Sequence, residues 1–514
     1  MRKCVALLCF LFSAPLPLAM AGCASTYSSA NEAGTLNFLI ESSPVSLDPR
    51  IGTDAQSEHL HGLIFDSLVA HDAQMNPIPD LAESWENPDP LTYIFHLRQG
   101  VKFHDGQPFA SADVKFTFDS IISGQVKTPK RGAYENVRSI DAPDAGTVIF
   151  HLREPSTSFL WNLTKPGIGI VPNGSGKEIA RNPIGTGPFR FAGMTQDEEI
   201  TLDRNDSYFG ERAKIAQIQF RIVPDEITRA LELRKGTADI AFNSLSADNV
   251  ATLRNKSQLV ANESPGTSIA YIGFNCSDPV LSHREVRQAL AYATDRTSLV
   301  QYLLRGQARL AASLLPPNHW AYEPNVRQYN YDLARAQQLL DAAGFRPGPD
   351  GVRLRLTFKT STDEGARLLS EALADEWKRV GIVVELRPLE FATFYSDVVH
   401  GSFQIYTLRW VGASTADPNI FDDVFDSKKI PPAGYNRGRY SNPELDALLE
   451  EQRTEMNRDK RKALLSQVQK IVAEDEPYIN LWYVDNIAVH RARVTDVAIA
   501  PSGDFDFLTA VNLR

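Results

Sequence analysis

Several short motifs in this 514-residue chain carry residue types that do chemistry, and their spacing decides what each can do. His104-Asp105-Gly106 sets an imidazole beside a carboxylate, the pairing of a general base and the acid that orients it. An Asp-Gly turn between Val101-Lys102-Phe103 and a capped helix accounts for the same residues, and catalysis needs a partner geometry that a tripeptide does not supply. Gly185-Thr186-Gly187-Pro188 lacks the third glycine and the following helix of a dinucleotide loop. Gly174-Ser175-Gly176-Lys177 imitates the tail of a phosphate-binding loop, but Glu178 stands where Ser or Thr belongs, and the spacing is wrong. His59 and His61 are two apart, which turns them to different helix faces, whereas i, i+4 would bring them together on a metal. No Gly-x-Ser-x-Gly elbow occurs, and 63 acidic residues single out no pair. The motifs therefore point to no catalytic residue, no metal and no cofactor.

The chain begins with Arg2 and Lys3, an apolar run from Val5 to Phe12, Pro15 and Pro17, and then Leu18-Ala19-Met20-Ala21-Gly22-Cys23. This is the pattern of an export signal over residues 1–22, and its apolar run is too short for a membrane span, which takes about 20 residues. Ala21-Gly22-Cys23 resembles the lipobox of bacterial lipoproteins, which implies cleavage before Cys23 and its acylation. Met20 stands where that pattern usually has Leu, and cleavage after Ala19-x-Ala21 is the competing reading. Residues 23–34 are small and polar and read as a flexible tether.

Loss of Arg2 and Lys3 takes the net charge from −10 to −12, which argues against nucleic acid and against a polybasic membrane surface. No second apolar run approaches spanning length. Cys4 and Cys9 leave with the signal and Cys23 is the lipid candidate, so Cys276 has no disulfide partner and reads as a buried small hydrophobe. A body of about 480 residues is more than one core serves, so two or three lobes are expected.

The elements that must position any site follow from periodicity. Thr35 to Ile40 is a strand, and Leu60, Ile64 and Leu68 predict a helix over about 55–68. From 73 to 186 strands and turns dominate, with Tyr93 to Arg98 and Thr147 to Leu152 alternating and Ser111 suited to cap a helix. From 187 the pattern changes. Phe189 to Phe191, Ile200 to Leu202 and Ile218 to Ile222 read as strands, and a helix over 225–235 ends at Gly236. Strands at 354–359, 382–386 and 403–408 alternate with helices, the first over 364–380, which predicts βαβ units and a largely parallel sheet. Helices over 442–455 and 459–474 precede a strand over 478–483.

Segments spread along the chain resemble the peptide/nickel class of extracellular solute-binding proteins, family 5, the capture components of ABC importers. They include Ser46-Leu47-Asp48-Pro49, Pro79 to Glu86, Phe95 to Gly106 continued by Ala112-Asp113-Val114, and Pro183 to Phe189. Arg204-Asn205, Val286 to Leu290, Ala342-Ala343-Gly344 and Asn436 with Tyr440 to Pro443 complete the series. The resemblance implies an α/β, two-lobed periplasmic-binding-protein fold of type II, with an extra α/β subdomain in the first lobe. It divides the chain into 35–72, 187–275 and 490–514 for lobe I, 73–186 for the subdomain and 276–489 for lobe II. Hinges then fall near 275 and near 488.

The same resemblance implies no enzyme, a monomer, a small peptide-like solute, permease subunits as partners, and a periplasmic or cell-surface location. N-blocked or cyclic peptides, metal chelates and sugars are alternative solutes; an exported hydrolase and a chaperone-like binder are alternative functions. The implied ligand residues are Ser43, Pro44 and Val45 on the first lobe, and Trp410, Gly412, Ala413, Asp417, Tyr435, Asn436 and Arg437 on the second. Peptide-binding relatives show Trp-x-Gly-Asp or Trp-x-Ala-Asp at 410–413, where the carboxylate pairs with the ligand's ammonium. Ala413 breaks that pattern, and without the counterion a preference for a free N-terminus is lost. Asp417 either replaces the anchor or starts the next helix as its cap. Arg437 and Arg439 either hold a carboxylate or phosphate with paired hydrogen bonds or are solvated.

Overall fold

A computed structural model describes residues 34–72, 75–164, 168–411 and 417–514. Cys23, Gly412 and Ala413 lie outside them. Among the described residues twenty-one strands run in chain order: β1 (Thr35–Ile40), β2 (Val69–His71), β3 (Pro77–Pro79), β4 (Ala82–Asp89), β5 (Thr92–Leu97), β6 (Val137–Asp144) and β7 (Thr147–Leu152). Then come β8 (Phe189–Thr195), β9 (Glu199–Arg204), β10 (Gln217–Ile222), β11 (Ile240–Phe242), β12 (Leu259–Ser264) and β13 (Ile269–Phe274). The rest are β14 (Ala308–Leu310), β15 (Leu354–Ser361), β16 (Ile382–Leu389), β17 (Ile405–Trp410), β18 (Tyr478–Val484), β19 (Asn486–Arg491), β20 (Val494–Thr495) and β21 (Asn512–Leu513).

Three larger sheets hold most of them, while β2 pairs with β3 and β20 with β21 in two-stranded sheets. A seven-stranded sheet has the order β12-β19-β11-β1-β10-β9-β8, and a six-stranded sheet the order β14-β18-β13-β17-β15-β16. A separate four-stranded sheet, β4-β5-β7-β6, is wholly antiparallel and packs on the helix Ser111–Ile122 over its own core of Phe95, Phe118 and Phe150. Among the described residues no helix is long and apolar enough to cross a membrane.

The expected largely parallel sheet is not what forms. In the six-stranded sheet only β15 pairs in parallel, with β16 and β17; β13, β14 and β18 run antiparallel. The helical crossover between β15 and β16 makes them parallel neighbours, whereas β13, which arrives from the seven-stranded sheet, runs against β17. The seven-stranded sheet is mixed as well, with β1 parallel to β10 and β11 at its centre, consecutive strands β8, β9 and β10 antiparallel, and β19 antiparallel to β11.

The sheets also move the expected boundaries. β13 belongs to the six-stranded sheet, so the crossing expected near 275 falls at 265–268, and the one expected near 488 falls at Asp485 between β18 and β19. The two crossings lie side by side. Val484 N donates to Ser268 O at 2.9 Å, and Arg309 reaches both Gly266 O at 2.7 Å and Asp485 Oδ1 at 2.9 Å.

Two local expectations shift. The helix from Ala55 ends at Ile64, because Asp66 and Ser67 leave it for buried tertiary bonds: Thr186 Oγ1 donates to Asp66 Oδ2 at 2.7 Å and Ser67 Oγ to Ile168 O at 2.6 Å. The cap expected at Ser111 sits one residue earlier, where Ala110 N donates to Asp113 Oδ2 at 2.8 Å. The helix Glu226–Lys235 keeps both expected ends, with Asp225 accepting from Thr228 N at 2.7 Å and Gly236 left-handed at φ 86°.

Candidate functional site

The His-Asp-Gly turn joins another motif rather than a substrate. Gly185 N donates to His104 Nδ1 at 3.3 Å, which leaves the ring proton on Nε2 to donate to Gly187 O at 3.0 Å. A side chain at Gly185 would overlap the Ile64 carbonyl oxygen, so these glycines allow the strand to reach the helix end. Both motifs are spent on holding the four-stranded sheet to the first lobe. His59 and His61 diverge as their spacing required: His59 stacks on Phe505 at 4.2 Å, and His61 Nε2 bonds Ser46 O at 3.0 Å.

The second lobe assembles an aromatic-walled cation. In the β13–β17 ladder Ile269, Tyr271 and Gly273 face Trp410, Leu408 and Tyr406, and Gly273 also faces Tyr478 on β18. Directly opposed residues share a sheet face, so four rings gather on one surface. A side chain at Gly273 would strike the Tyr406 ring, and its absence lets Tyr406 and Tyr478 meet with their hydroxyls 3.1 Å apart. Tyr271 stacks between Tyr478 at 4.3 Å and Trp410 at 6.2 Å.

Onto this surface the loop between the helices Ile420–Phe425 and Pro443–Thr454 lays Arg437, which is 5% exposed. Its guanidinium carbon lies 4.7 Å from the Trp410 ring centre, 5.3 Å from Tyr395 and 5.5 Å from Tyr435. Nη1 donates to Tyr271 Oη at 3.2 Å and Nη2 to Tyr395 Oη at 3.0 Å. Tyr435 is 49% exposed, and Phe391, which stacks on Tyr395, and Val411 are exposed beside it. Trp410, Tyr435 and Arg437 thus come together as one site.

Asn436 pins the loop instead of facing outward. Its Nδ2 donates to Asp426 O at 3.1 Å and Tyr440 O at 2.8 Å, and its Oδ1 accepts from Tyr440 N at 3.0 Å. Arg439 is spent on Arg437 O at 2.8 Å and Val399 O at 3.4 Å. Asp417 turns the chain into the next helix by accepting from Asn419 N at 2.9 Å, while Asn419 holds the cap position itself; its charge faces Arg461 at 3.4 Å.

Ser43, Pro44 and Val45 follow β1 on the first lobe. Ser43 Oγ donates to Asp197 Oδ1 at 2.8 Å, Pro44 is buried, and Val45 is 82% exposed. Their hydrogen bonds remain within that lobe, with Val45 N on Asp54 Oδ2 at 3.2 Å. Below them the helix Ala55–Ile64 carries Glu58, whose carboxyl burial pushes up to about 7 against the pull of Lys130, with Asp504 and Asp54 adding to the rise. Burial lowers His59 to about 4 and His61 to about 3. The lobes meet where Thr157 N and Oγ1 donate to Arg453 O at 3.2 and 3.1 Å, and where Arg458 Nη2 donates to Asn76 Oδ1 at 2.6 Å.

The motifs did not single out Tyr271, Tyr395, Tyr406 and Tyr478. Their signal was present in part, since Tyr406, Leu408 and Trp410 alternate along one strand face.

Two sheet-centred lobes joined by two adjacent crossings define a two-lobed binding-protein fold, and its second lobe presents an aromatic cation site. The chain belongs to the bacterial extracellular solute-binding proteins, family 5, whose middle region matches residues 76–431. The dipeptide-binding protein of Escherichia coli K12 is 27% identical over 96% of this chain and 98% of its own length. Heme-binding protein A of Haemophilus influenzae is 27% identical over 93% and 92%. The crystal structure of NikZ from Campylobacter jejuni in complex with Ni(L-His) is 25% identical and superposes with a TM-score of 0.79, covering 93% of this chain and 99% of that one.

Proposed function

We propose that this chain is the solute-capturing component of an ABC importer, exported from the cytoplasm, which takes a peptide-like solute between its lobes and presents it to a membrane permease. The observation that carries the reading is the pair of adjacent crossings at 265–268 and Asp485, which leave two lobes free to rotate about one short axis. Solute that touches both lobes stabilises the closed form by its differential affinity, and no bond is made or broken. The relatives' names span dipeptide, heme and nickel–histidine, so membership alone does not choose among solutes. Ala413, where peptide-binding relatives place an aspartate, favours a solute without a free ammonium. By this reading the protein is a monomer, not an enzyme, and is held at the membrane through acylated Cys23.

Native mass spectrometry of protein taken from its own membranes tests this directly. A bound small molecule released chemically unchanged supports the reading, and conversion of that molecule by the protein contradicts it. The same spectrum reads the terminus: diacylated Cys23 supports the anchor, and an unmodified chain starting at Gly22 contradicts it.

A further inference from the structure

Among the described residues no acid pairs with the charge of Arg437. Other buried arginines in the chain are accounted for: Arg50 pairs with Asp48 at 2.9 Å, and Arg287 and Arg229 discharge into main-chain carbonyls. Arg437 donates two of its five N–H groups, both to phenol oxygens, and makes no ion pair among the described residues. Outside those residues the only acid is Glu32, near the start of the chain. Burial pushes the neighbouring Tyr406 and Tyr478 hydroxyls well above their usual range, so these phenols are neutral and supply no counter-charge. A guanidinium does not escape by losing its proton.

A second donor beside it is also unspent. Trp410 is 8% exposed, and its Nε1–H is buried with no hydrogen-bond acceptor among the described residues. A buried donor without an acceptor costs free energy, and the Trp410 N–H beside the Arg437 charge forms a site shaped for an anion.

We propose that Arg437 and the indole N–H of Trp410 receive a carboxylate of the solute, with Trp410, Tyr395 and Tyr435 as the walls around it. The inference rests on the solute-capture reading and names the chemistry of what is captured. A carboxylate matches because one negative charge meets one positive charge, and its planar oxygens fit the guanidinium fork. A phosphate would bring about two charges, and the adjacent Arg439 is already committed to carbonyls.

The test uses the full mature protein, stripped of small molecules, and a pool of N-acetylated tripeptides in two forms, free acids and carboxyl-terminal amides. Retention is read by native mass spectrometry and affinities by calorimetry. Free acids should bind at least about a hundredfold more tightly than their amides, the loss expected when one partner of a buried pair is removed. Arg437→Gln should erase that acid-over-amide preference, and Arg437→Lys should restore part of it. Equal retention of acids and amides by the wild-type protein overturns the carboxylate assignment and leaves solute capture standing. A preference that survives in Arg437→Gln overturns it too. Retention of neither form overturns the peptide-like reading and this inference with it. Because the acid-to-amide ratio is measured on the wild type, the test stands even if a variant folds poorly.

Discussion

At the scale of single residues, burial sets the titration of the helix Ala55–Ile64 beneath residues 43–45. An acid whose folded pKa lies above its unfolded value lets the folded state hold more protons between the two. Its contribution is therefore present below pH 4.5 and is lost as pH rises to about 7, the window set by Glu58. His59 and His61 act with the opposite sign. Held neutral by burial, they contribute above pH 6.5, and that contribution is lost as pH falls toward about 4 and 3. Glu58→Gln removes only the first effect, so the variant should gain on the wild type as pH rises from 4.5 to 7. Urea midpoints at both ends of that window measure the difference, and an equal gap at both would show that Glu58 is not held protonated.

Residue identity was a partial guide to the site. Trp410 was legible because it ends an apolar strand at a position the family pattern marks. Arg437 was ambiguous, since a sequence does not say whether a cation meets a carboxylate, a carbonyl or a ring. The answer depends on Tyr271 and Tyr395, which are more than 160 and about 40 residues away. Asn436 looked like a ligand residue, yet the loop that presents Arg437 needs its amide for closure.

At the scale of elements, the paired crossings set the motion. A methyl group at Gly266 would overlap the Val484 carbonyl oxygen at the end of β18, just before the opposite crossing, which accounts for glycine there. Gly266→Ala should therefore force the crossings apart and destabilise the fold by about 1–3 kcal/mol, the usual cost of overpacking. Denaturant titration reads this as a lower midpoint, and an unchanged midpoint would mean that the crossings part without cost. Helix caps and strand periodicity made most elements legible from residue order alone. Sheet membership did not follow, because β13 is buried at every position and reads the same in either lobe. For the same reason the boundary fell about one strand away from 275.

At the scale of the molecule, a two-lobed scaffold sets Arg437 among the rings of Trp410, Tyr395 and the half-exposed Tyr435. Closure brings the lobes together along contacts such as Thr157 on Arg453, and solute supplies the energy that holds them. Small-angle scattering tests that claim most directly. The protein is measured stripped of small molecules and again with the solute recovered from the native protein, its saturation verified by calorimetry. A smaller radius of gyration with an unchanged circular dichroism spectrum is the predicted result; an identical radius at verified saturation would contradict capture by lobe closure.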